Sequence, residues 1–227
     1  TSADLAYYNQ GDKFPKVVVT NINTSIDSVL LPSMSEEQDH ANRVKSMTRR
    51  AIKTSTYIMA PLMMGLLFCA EPIVKLLLTD KWLPCVPYLR IFCFTYLFWP
   101  IHTANLNAVK AMGRSDLFLR LEIIKKAIGL ILLLLTMRIS VMAMAYSLIV
   151  SSIFSQVANS WPNWKLLNYN YLEQLRDILP SIIIAIGMGV CVYFIGFIPL
   201  STVVTLMIQI IAGAAIYVGA SALLKLE

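Results

Sequence analysis

Long apolar stretches are the feature of this sequence that most restricts its fold. Seven of them can be distinguished, at residues 17–33, 51–78, 88–109, 119–137, 139–161, 178–198 and 201–224. A helix rises about 1.5 Å per residue, so roughly 20 apolar residues cross a hydrocarbon core of about 30 Å. Each stretch is therefore predicted to be a membrane-spanning helix.

The composition supports lipid as the main solvent. Of the 227 residues, 57% are hydrophobic and 14% are charged, whereas soluble domains carry about 25% charged residues. This excludes soluble enzymes, secreted disulfide-linked scaffolds and disordered proteins. A β-barrel is disfavoured because its strands would alternate polar and apolar residues. The predicted fold class is all-α: a polytopic transmembrane helical bundle of about seven spans.

The basic residues predict the orientation of the chain. When alternate loops are assigned to opposite sides of the membrane, most of the 19 Lys and Arg fall on one side. The positive-inside rule makes that side cytoplasmic, which places the C-terminus, with Lys225, inside. The basic residues are not interleaved with an aromatic platform, so no nucleic acid partner is predicted.

No metal, cofactor, catalytic residue or enzyme activity is predicted. The four cysteines lie in or beside apolar stretches without metal-ligand spacing, and we interpret them as small apolar side chains. The sequence contains no HExxH motif, no phosphate-binding loop and no Ser/His/Asp arrangement. Because it begins at Thr1 and has no signal-like start, we expect it to be a piece of a longer protein.

Segment 17–33 differs from the other stretches because it has two faces. Its aliphatic side chains share an arc of about 120° on a helical wheel, opposite amides, hydroxyls and one carboxylate. A helix lying on a membrane surface would carry Lys and Arg there, so this face is better suited to a water-filled cavity. A solvated surface helix or a polar packing seam is the alternative. The predicted cavity residues are Thr20, Asn21, Asn23, Thr24, Asp27 and Ser28.

A second polar patch is predicted in the stretch 88–109. Thr95, Trp99, His102 and Asn105 cluster on one side of its helical wheel. The histidine either relays protons or hydrogen-bonds a neighbouring helix, and the sequence leaves both readings open. In the stretch 139–161, small hydroxyl residues recur every four positions, which favours close helix packing over substrate binding.

Three segments together resemble a known family. They are SVLLPSMSEEQ, RRAIKTSTYIMAPLMMGLLFCAEPIVKLLLTDKW and NAVKAMGRSDLFLRLEIIKK. Over residues 5–137 the chain resembles the bacterial polysaccharide and O-antigen flippases of the multidrug/oligosaccharidyl-lipid/polysaccharide exporter superfamily. Such proteins have two lobes that move undecaprenyl-diphosphate-linked oligosaccharides to the outer leaflet by alternating access.

The resemblance implies that residues 1–227 form the C-terminal lobe of a flippase, with the N-terminal lobe absent. The implied location is the bacterial inner membrane, and the implied cargo is an O-antigen, capsule or exopolysaccharide unit on its lipid carrier. The implied partners are this lipid-linked oligosaccharide, the membrane lipids and the missing lobe. A polysaccharide polymerase and glycosyltransferases are further possible partners.

One feature departs from the family pattern. Cavities of these flippases often carry basic residues that hold the pyrophosphate, and segment 17–33 supplies none. Arg49, Arg50 and Lys53 are candidate phosphate contacts, although a role as positive-inside anchors explains them equally well. Two other functions stay open: a cation-coupled multidrug exporter, with Asp27 as the coupling carboxylate, and a non-transporting membrane scaffold. The Asn, Thr and Ser face favours a glycan.

Overall fold

The computed structural model describes residues 2–224, and all regular structure within that range is helical. A short 3-10 helix, Asp80–Cys85, lies between the third and fourth α-helices. The α-helices are α1 (Ser2–Glu36), α2 (Ala41–Phe68), α3 (Ala70–Leu77), α4 (Val86–Leu97), α5 (Trp99–Ala111), α6 (Ser115–Thr136), α7 (Val141–Leu167), α8 (Tyr171–Ile195) and α9 (Thr202–Leu223). The all-α prediction is confirmed for these residues, and Lys225 lies outside them.

Four of the described helices, α2, α7, α8 and α9, have the length and apolar composition of a membrane span. The chain is therefore a multi-pass membrane protein, but the predicted seven spans are not confirmed. Helix α1 is too polar, and α4 and α5 are each too short to cross alone. Helix α6 is long enough but carries five charged residues before its apolar second half, Asp116, Arg120, Glu122, Lys125 and Lys126.

The predicted span 51–78 is two helices, and Pro72 explains the break. Helix α2 ends at Phe68, and α3 begins at Ala70. In a continuous helix the ring of Pro72 would clash with the carbonyl four residues earlier, which belongs to Phe68. Pro61, in contrast, lies inside α2 without ending it.

The predicted span 88–109 is divided in the same way. Helix α4 ends at Leu97, Phe98 links the two helices, and Pro100 occupies the first turn of α5. A proline is tolerated there because the first N–H groups of a helix have no intrahelical partner. The predicted single span is therefore two helices joined at Phe98.

Several helices continue beyond their apolar stretches. Helix α1 begins fifteen residues before the predicted start at residue 17. Helix α2 begins at Ala41, ten residues before the predicted start at residue 51. Helix α8 begins at Tyr171 because Asn170 and Glu173 form a capping box. The Asn170 side chain accepts a bond from the Glu173 N–H (2.8 Å), and the Glu173 carboxylate accepts one from the Asn170 N–H (3.3 Å).

A glycine brings the first half of α1 close to α4. Gly11 is buried, and a Cβ atom there would lie 2.8 Å from the backbone nitrogen of Leu89 and 2.8 Å from Cβ of Tyr88. Two turns along α4, the Tyr96 hydroxyl donates a hydrogen bond to the Asp12 carboxylate (2.6 Å). The contact therefore combines a close backbone approach with a polar link beside it.

A buried amide cluster joins α5, α7 and α8. It consists of Asn105, Ser160, Asn163 and Gln174, whose side chains are at most 1% exposed. Asn105 Nδ2 donates to Gln174 Oε1 (2.7 Å), and Gln174 Nε2 donates back to Asn105 Oδ1 (3.1 Å). Ser160 donates to Gln174 Oε1 (2.9 Å), and Asn163 donates to Asn105 Oδ1 (2.6 Å). The cluster thereby fixes the position of α5 relative to the consecutive helices α7 and α8.

Replacing Gly11 with Ala should destabilise the protein, because the new methyl group would meet the backbone of α4. We expect a loss of about 1–3 kcal/mol, measured by thermal or denaturant unfolding of the purified protein in detergent. Gly187→Ala is the matched control: this helical glycine of α8 has open space around it, and alanine favours a helix by about 0.5–1 kcal/mol. Equal effects of the two substitutions would contradict a specific α1–α4 approach.

Replacing Gln174 with Leu should also lower stability, because it removes the hydrogen bonds that Gln174 makes with the buried side chains of Asn105 and Ser160. A buried polar group without a partner costs about 1–3 kcal/mol. The same change at the exposed Gln38 should have little effect on the unfolding midpoint. If the two Leu variants unfold at the same temperature, the amide cluster does not fasten the helices.

Candidate functional site

The polar face of α1 is divided between a packing seam and an exposed surface. Two of its residues bond to α5. Asn23 Oδ1 accepts a hydrogen bond from the Thr103 hydroxyl (3.1 Å), and Asp27 Oδ1 accepts one from Asn107 Nδ2 (2.6 Å). The two bonds are four residues apart on both helices, so they form a ladder along matching helix faces. Asn23 and Asp27 therefore fasten α1 to α5 and are held in fixed orientations.

The other predicted residues of this face, Thr20, Asn21, Thr24 and Ser28, are exposed. We call them the α1 polar strip. The Thr24 hydroxyl donates to the carbonyl of Thr20 (2.9 Å), and the Ser28 hydroxyl donates to that of Ser25 (3.0 Å). Each hydroxyl oxygen keeps acceptor capacity, and the Asn21 amide has both donors and an acceptor. The strip can therefore exchange hydrogen bonds with a polyhydroxylated ligand or with water.

Thr95, Trp99 and His102 line a cavity of about 260 Å³ between α4, α5 and α7. The far wall is formed by hydroxyl and amide side chains of α7 that the sequence favoured as packing residues, namely Ser151, Ser152, Ser155 and Gln156. The two polar patches that the sequence indicates on separate helices thus face the same space.

His102 is held on both sides. Its Nδ1 atom lies 2.6 Å from Asn159 Nδ2, and its ring lies against Trp99 with centroids 5.2 Å apart. The direction of this hydrogen bond depends on the tautomer of the His102 ring. Of the two readings that the sequence left open, the helix-to-helix hydrogen bond is therefore present.

Asn105 does not line this cavity. Its side chain is completely buried in the amide cluster. Asn105 lies about one turn beyond His102 on α5 and only 60° from it on the helical wheel. Its hydrogen bonds to Ser160, Asn163 and Gln174 nevertheless place it in the amide cluster, so its geometry is that of a packing residue.

The three candidate phosphate contacts have different surroundings. Arg49 and Lys53 line a crevice of about 580 Å³ between α2 and α8, whereas Arg50 is exposed outside it. The Arg49 guanidinium donates to the Asp177 carboxylate at 2.6 Å. Arg176 on α8 lines the same crevice. Sequence reasoning missed Arg176 and Asp177, because no local pattern relates α2 to residues more than a hundred positions away.

Tyr169, in the turn between α7 and α8, contacts a residue that lines this crevice, Asp177. It is completely buried, and its hydroxyl donates to the second oxygen of Asp177 (2.8 Å). Burial and the adjacent Asp177 carboxylate raise the pKa of the Tyr169 phenol above its ordinary value. The phenol therefore stays protonated at physiological pH and remains a hydrogen-bond donor to Asp177.

The described residues contain no group of three or more His, Cys, Asp or Glu side chains that could hold a metal ion. Their four cysteines are free thiols, three buried and one exposed. The chemistry that this surface offers is thus hydrogen bonding by amides and hydroxyls along α1, together with positive charge between α2 and α8.

Comparisons with known proteins relate the chain to polysaccharide biosynthesis proteins. Residues 1–87 match the family described as "Polysaccharide biosynthesis protein". The chain is 20% identical over 218 residues to the teichuronic acid biosynthesis protein TuaB of Bacillus subtilis (strain 168), covering 94% of this chain and 45% of that protein. It is 26% identical over 106 residues to an uncharacterized membrane protein in the cps region of Klebsiella pneumoniae, covering 47% of this chain and 22% of that one.

Among solved structures, the chain is similar to the lipid II flippase MurJ in its inward closed conformation. The TM-score is 0.81 at 17% identity, over 97% of this chain and 47% of MurJ. The chain thus spans less than half the length of each protein that it matches. These findings confirm the resemblance predicted from the sequence: in sequence the chain is similar to polysaccharide biosynthesis proteins, and in fold it is similar to a lipid flippase.

Proposed function

We propose that this chain is the C-terminal lobe, residues 1–227, of a transporter that moves a lipid-linked oligosaccharide across the bacterial inner membrane by alternating access. The carrier lipid is undecaprenyl diphosphate, and the cargo is an O-antigen, capsule or exopolysaccharide unit. The protein is a transporter and not an enzyme. The match to polysaccharide biosynthesis proteins and the MurJ-like fold support this assignment.

The observation that carries the proposal is the α1 polar strip. Thr20, Asn21, Thr24 and Ser28 are exposed on a helix of a membrane protein. In hydrocarbon, each polar group without a partner costs on the order of several kcal/mol, so a surface of this kind meets water, protein or a polar ligand. Amides and hydroxyls offer both donors and acceptors, as a sugar does. A glycan is therefore the substrate that suits the strip best.

The strip forms one wall of a cavity, and a second lobe supplies the other. The chain corresponds to about half of MurJ in length, and alternating access requires two bundles that rock about a shared central site. The ladder from Asn23 and Asp27 to α5 holds α1 rigidly against its own lobe. The strip is thereby presented toward the opposite lobe in a fixed orientation.

The cavity around His102 is the weaker candidate for the substrate site. Its volume of about 260 Å³ is below the roughly 300–1,000 Å³ of ordinary small-molecule pockets, and an oligosaccharide is larger than such ligands. Asp27 accepts the Asn107 bond at one carboxylate oxygen and is itself exposed, so it does not distinguish the two functions. The small volume of the His102 cavity is the observation that favours the α1 polar strip as the substrate site, and with it the glycan flippase.

The expected setting follows from this assignment. The C-terminus lies in the cytoplasm, and the polysaccharide polymerase and the glycosyltransferases that build the cargo are its functional partners. Arg49 and Lys53 face a crevice at one end of α2. If that end is cytoplasmic, as the positive-inside rule predicts, they lie where a cargo phosphate would first arrive.

Replacing Asn21 with Cys should allow modification by a membrane-impermeant thiol reagent, because the strip faces water. The experiment uses the complete protein in cells, with Cys69, Cys85, Cys93 and Cys191 replaced. Val19→Cys is the control: Val19 is 4% exposed, two residues away on the same helix, and should stay unlabelled. Labelling is read out by a mass-tagged maleimide on a gel. Complete protection of Cys at position 21 in every transport state would overturn the cavity.

Reconstitution tests transport directly. We expect liposomes that contain this chain alone not to flip a fluorescent lipid-linked oligosaccharide, and liposomes that contain it joined to an upstream lobe to do so. In the joined protein, Asn21→Leu with Thr24→Leu should slow flipping severalfold, because the sugar loses hydrogen-bonding partners. Val29→Leu, an exposed apolar position of the same helix, is the matched control. Robust flipping by a demonstrated monomer of the single lobe would contradict the two-lobe proposal.

A further inference from the structure

Pro61 leaves one backbone carbonyl of α2 without its usual partner. Proline has no N–H, so the helical hydrogen bond to the carbonyl four residues earlier is missing. In α2 that carbonyl belongs to Tyr57, and the helix nevertheless continues to Phe68. An unpaired carbonyl in a membrane-spanning helix is costly, because lipid offers no hydrogen bond. The Tyr57 carbonyl therefore needs a donor from elsewhere in the protein.

Tyr217 of α9 supplies this donor. Its hydroxyl donates a hydrogen bond to the Tyr57 carbonyl at 2.9 Å. Tyr217 is 3% exposed, and its ring packs against the Tyr57 ring with centroids 5.2 Å apart. A hydroxyl group 160 residues away along the chain thus replaces the hydrogen bond that Pro61 removes.

Pro61 also lies between two places where α2 is fastened to α8. Before it, the Arg49 guanidinium donates to the Asp177 carboxylate (2.6 Å). After it, the Phe68 ring packs against α8 at Gly189, where there is no room for a Cβ atom. Helix α8 has its own interior proline, Pro180, between the same two contacts. Since a proline interrupts the hydrogen-bond ladder of a helix, both helices can bend between these contacts.

A groove of about 460 Å³ lies beside Pro61, between α2, α8 and α9. Pro61 and Tyr217 line it, together with mostly apolar side chains, which offer no directional restraint on α2. Two polar contacts link α2 to α9 within the described residues: the Tyr217 bond and a contact between the Cys69 thiol, at the end of α2, and Gln209 (3.6 Å). The Tyr217 bond is the one that acts at Pro61.

We propose that Tyr217 is a positioning residue that restrains a hinge of α2 at Pro61. While its hydroxyl bonds to the Tyr57 carbonyl, the two halves of α2 are held at one angle. When this bond breaks, α2 bends at Pro61. The functional part of the inference rests on the proposed transport: the hinge changes the angle between the basic end of α2 and the end next to α3 as the lobe moves between transport states.

A double-mutant cycle on the complete protein in detergent tests the hydrogen bond. Tyr217→Phe should lower the unfolding temperature by a few degrees, because the Tyr57 carbonyl loses its donor. In the Pro61→Ala background this loss should be roughly half as large or less, because the N–H of residue 61 then bonds to that carbonyl. Tyr146→Phe, at an exposed tyrosine of α7, is the matched control and should have no effect. Equal losses in the two backgrounds would overturn the link between Tyr217 and Pro61.

Distance measurements test the hinge. Spin labels are attached at Arg50→Cys and Glu71→Cys, two exposed positions on either side of Pro61. The complete protein is used, with its other cysteines replaced. Double electron–electron resonance should give a narrower distance distribution for Pro61→Ala than for the native sequence, and a broader one for Tyr217→Phe. Identical distributions in the three proteins would overturn the hinge.

Flipping in liposomes separates a hinge from a purely structural contact. In the protein joined to an upstream lobe, Pro61→Ala should raise the unfolding temperature but slow flipping severalfold, because an uninterrupted helix resists bending. Higher stability with unchanged flipping would overturn the functional part of the inference. If the native protein itself does not flip the probe, the proposed function fails and the functional part with it, whereas the unfolding cycle and the label distances still decide whether Tyr217 restrains a hinge.

Discussion

Hydrogen bonds made by one short helix hold this lobe together. On α5, Thr103 and Asn107 bond to α1, whereas Asn105 bonds to α7 and α8. At 100° per residue, Asn105 lies 160° from both Thr103 and Asn107 on the helical wheel. The two sets of bonds therefore leave α5 on opposite sides. Since lipid offers no competing partner, polar side chains of this kind fix helix positions in a membrane protein.

The same constraint explains how α6 tolerates its charges. The sequence suggests that its basic side chains reach the membrane interface, but the Lys125 side chain is only 7% exposed and forms an ion pair with Glu122, one turn earlier. The lipid-facing positions of this helix are Ile and Leu, among them Ile123, Leu130 and Leu134. Helix α6 therefore places the Lys125–Glu122 pair against its neighbours, whereas Arg120 and Lys126 are exposed together with its aliphatic side chains.

The features that the sequence predicts correctly are those that depend on local composition. Apolar length indicates the helices, and the segregated polar arc of segment 17–33 corresponds to the seam and the strip of α1. The predictions that differ depend on geometry. A single helical wheel for 88–109 groups Asn105 with His102, but the hydrogen bonds of Asn105 with α7 and α8 place it in the amide cluster and not in the cavity. Pro72 and Pro100 carried the signal for both helix breaks.

The pairs that build the α2–α8 crevice were beyond sequence reasoning, since Arg49 and Asp177 are 128 residues apart. They are nevertheless continuous with the rest of the polar framework. Asp177 holds Tyr169, the Tyr169 carbonyl accepts a bond from Gln174, and Gln174 bonds to Asn105 on α5. From α5 the bonds continue to α1. A chain of hydrogen bonds thus runs from the basic crevice to the polar strip. A helical bundle linked in this way resists internal deformation, which is the property that the proposed rocking against a second lobe requires.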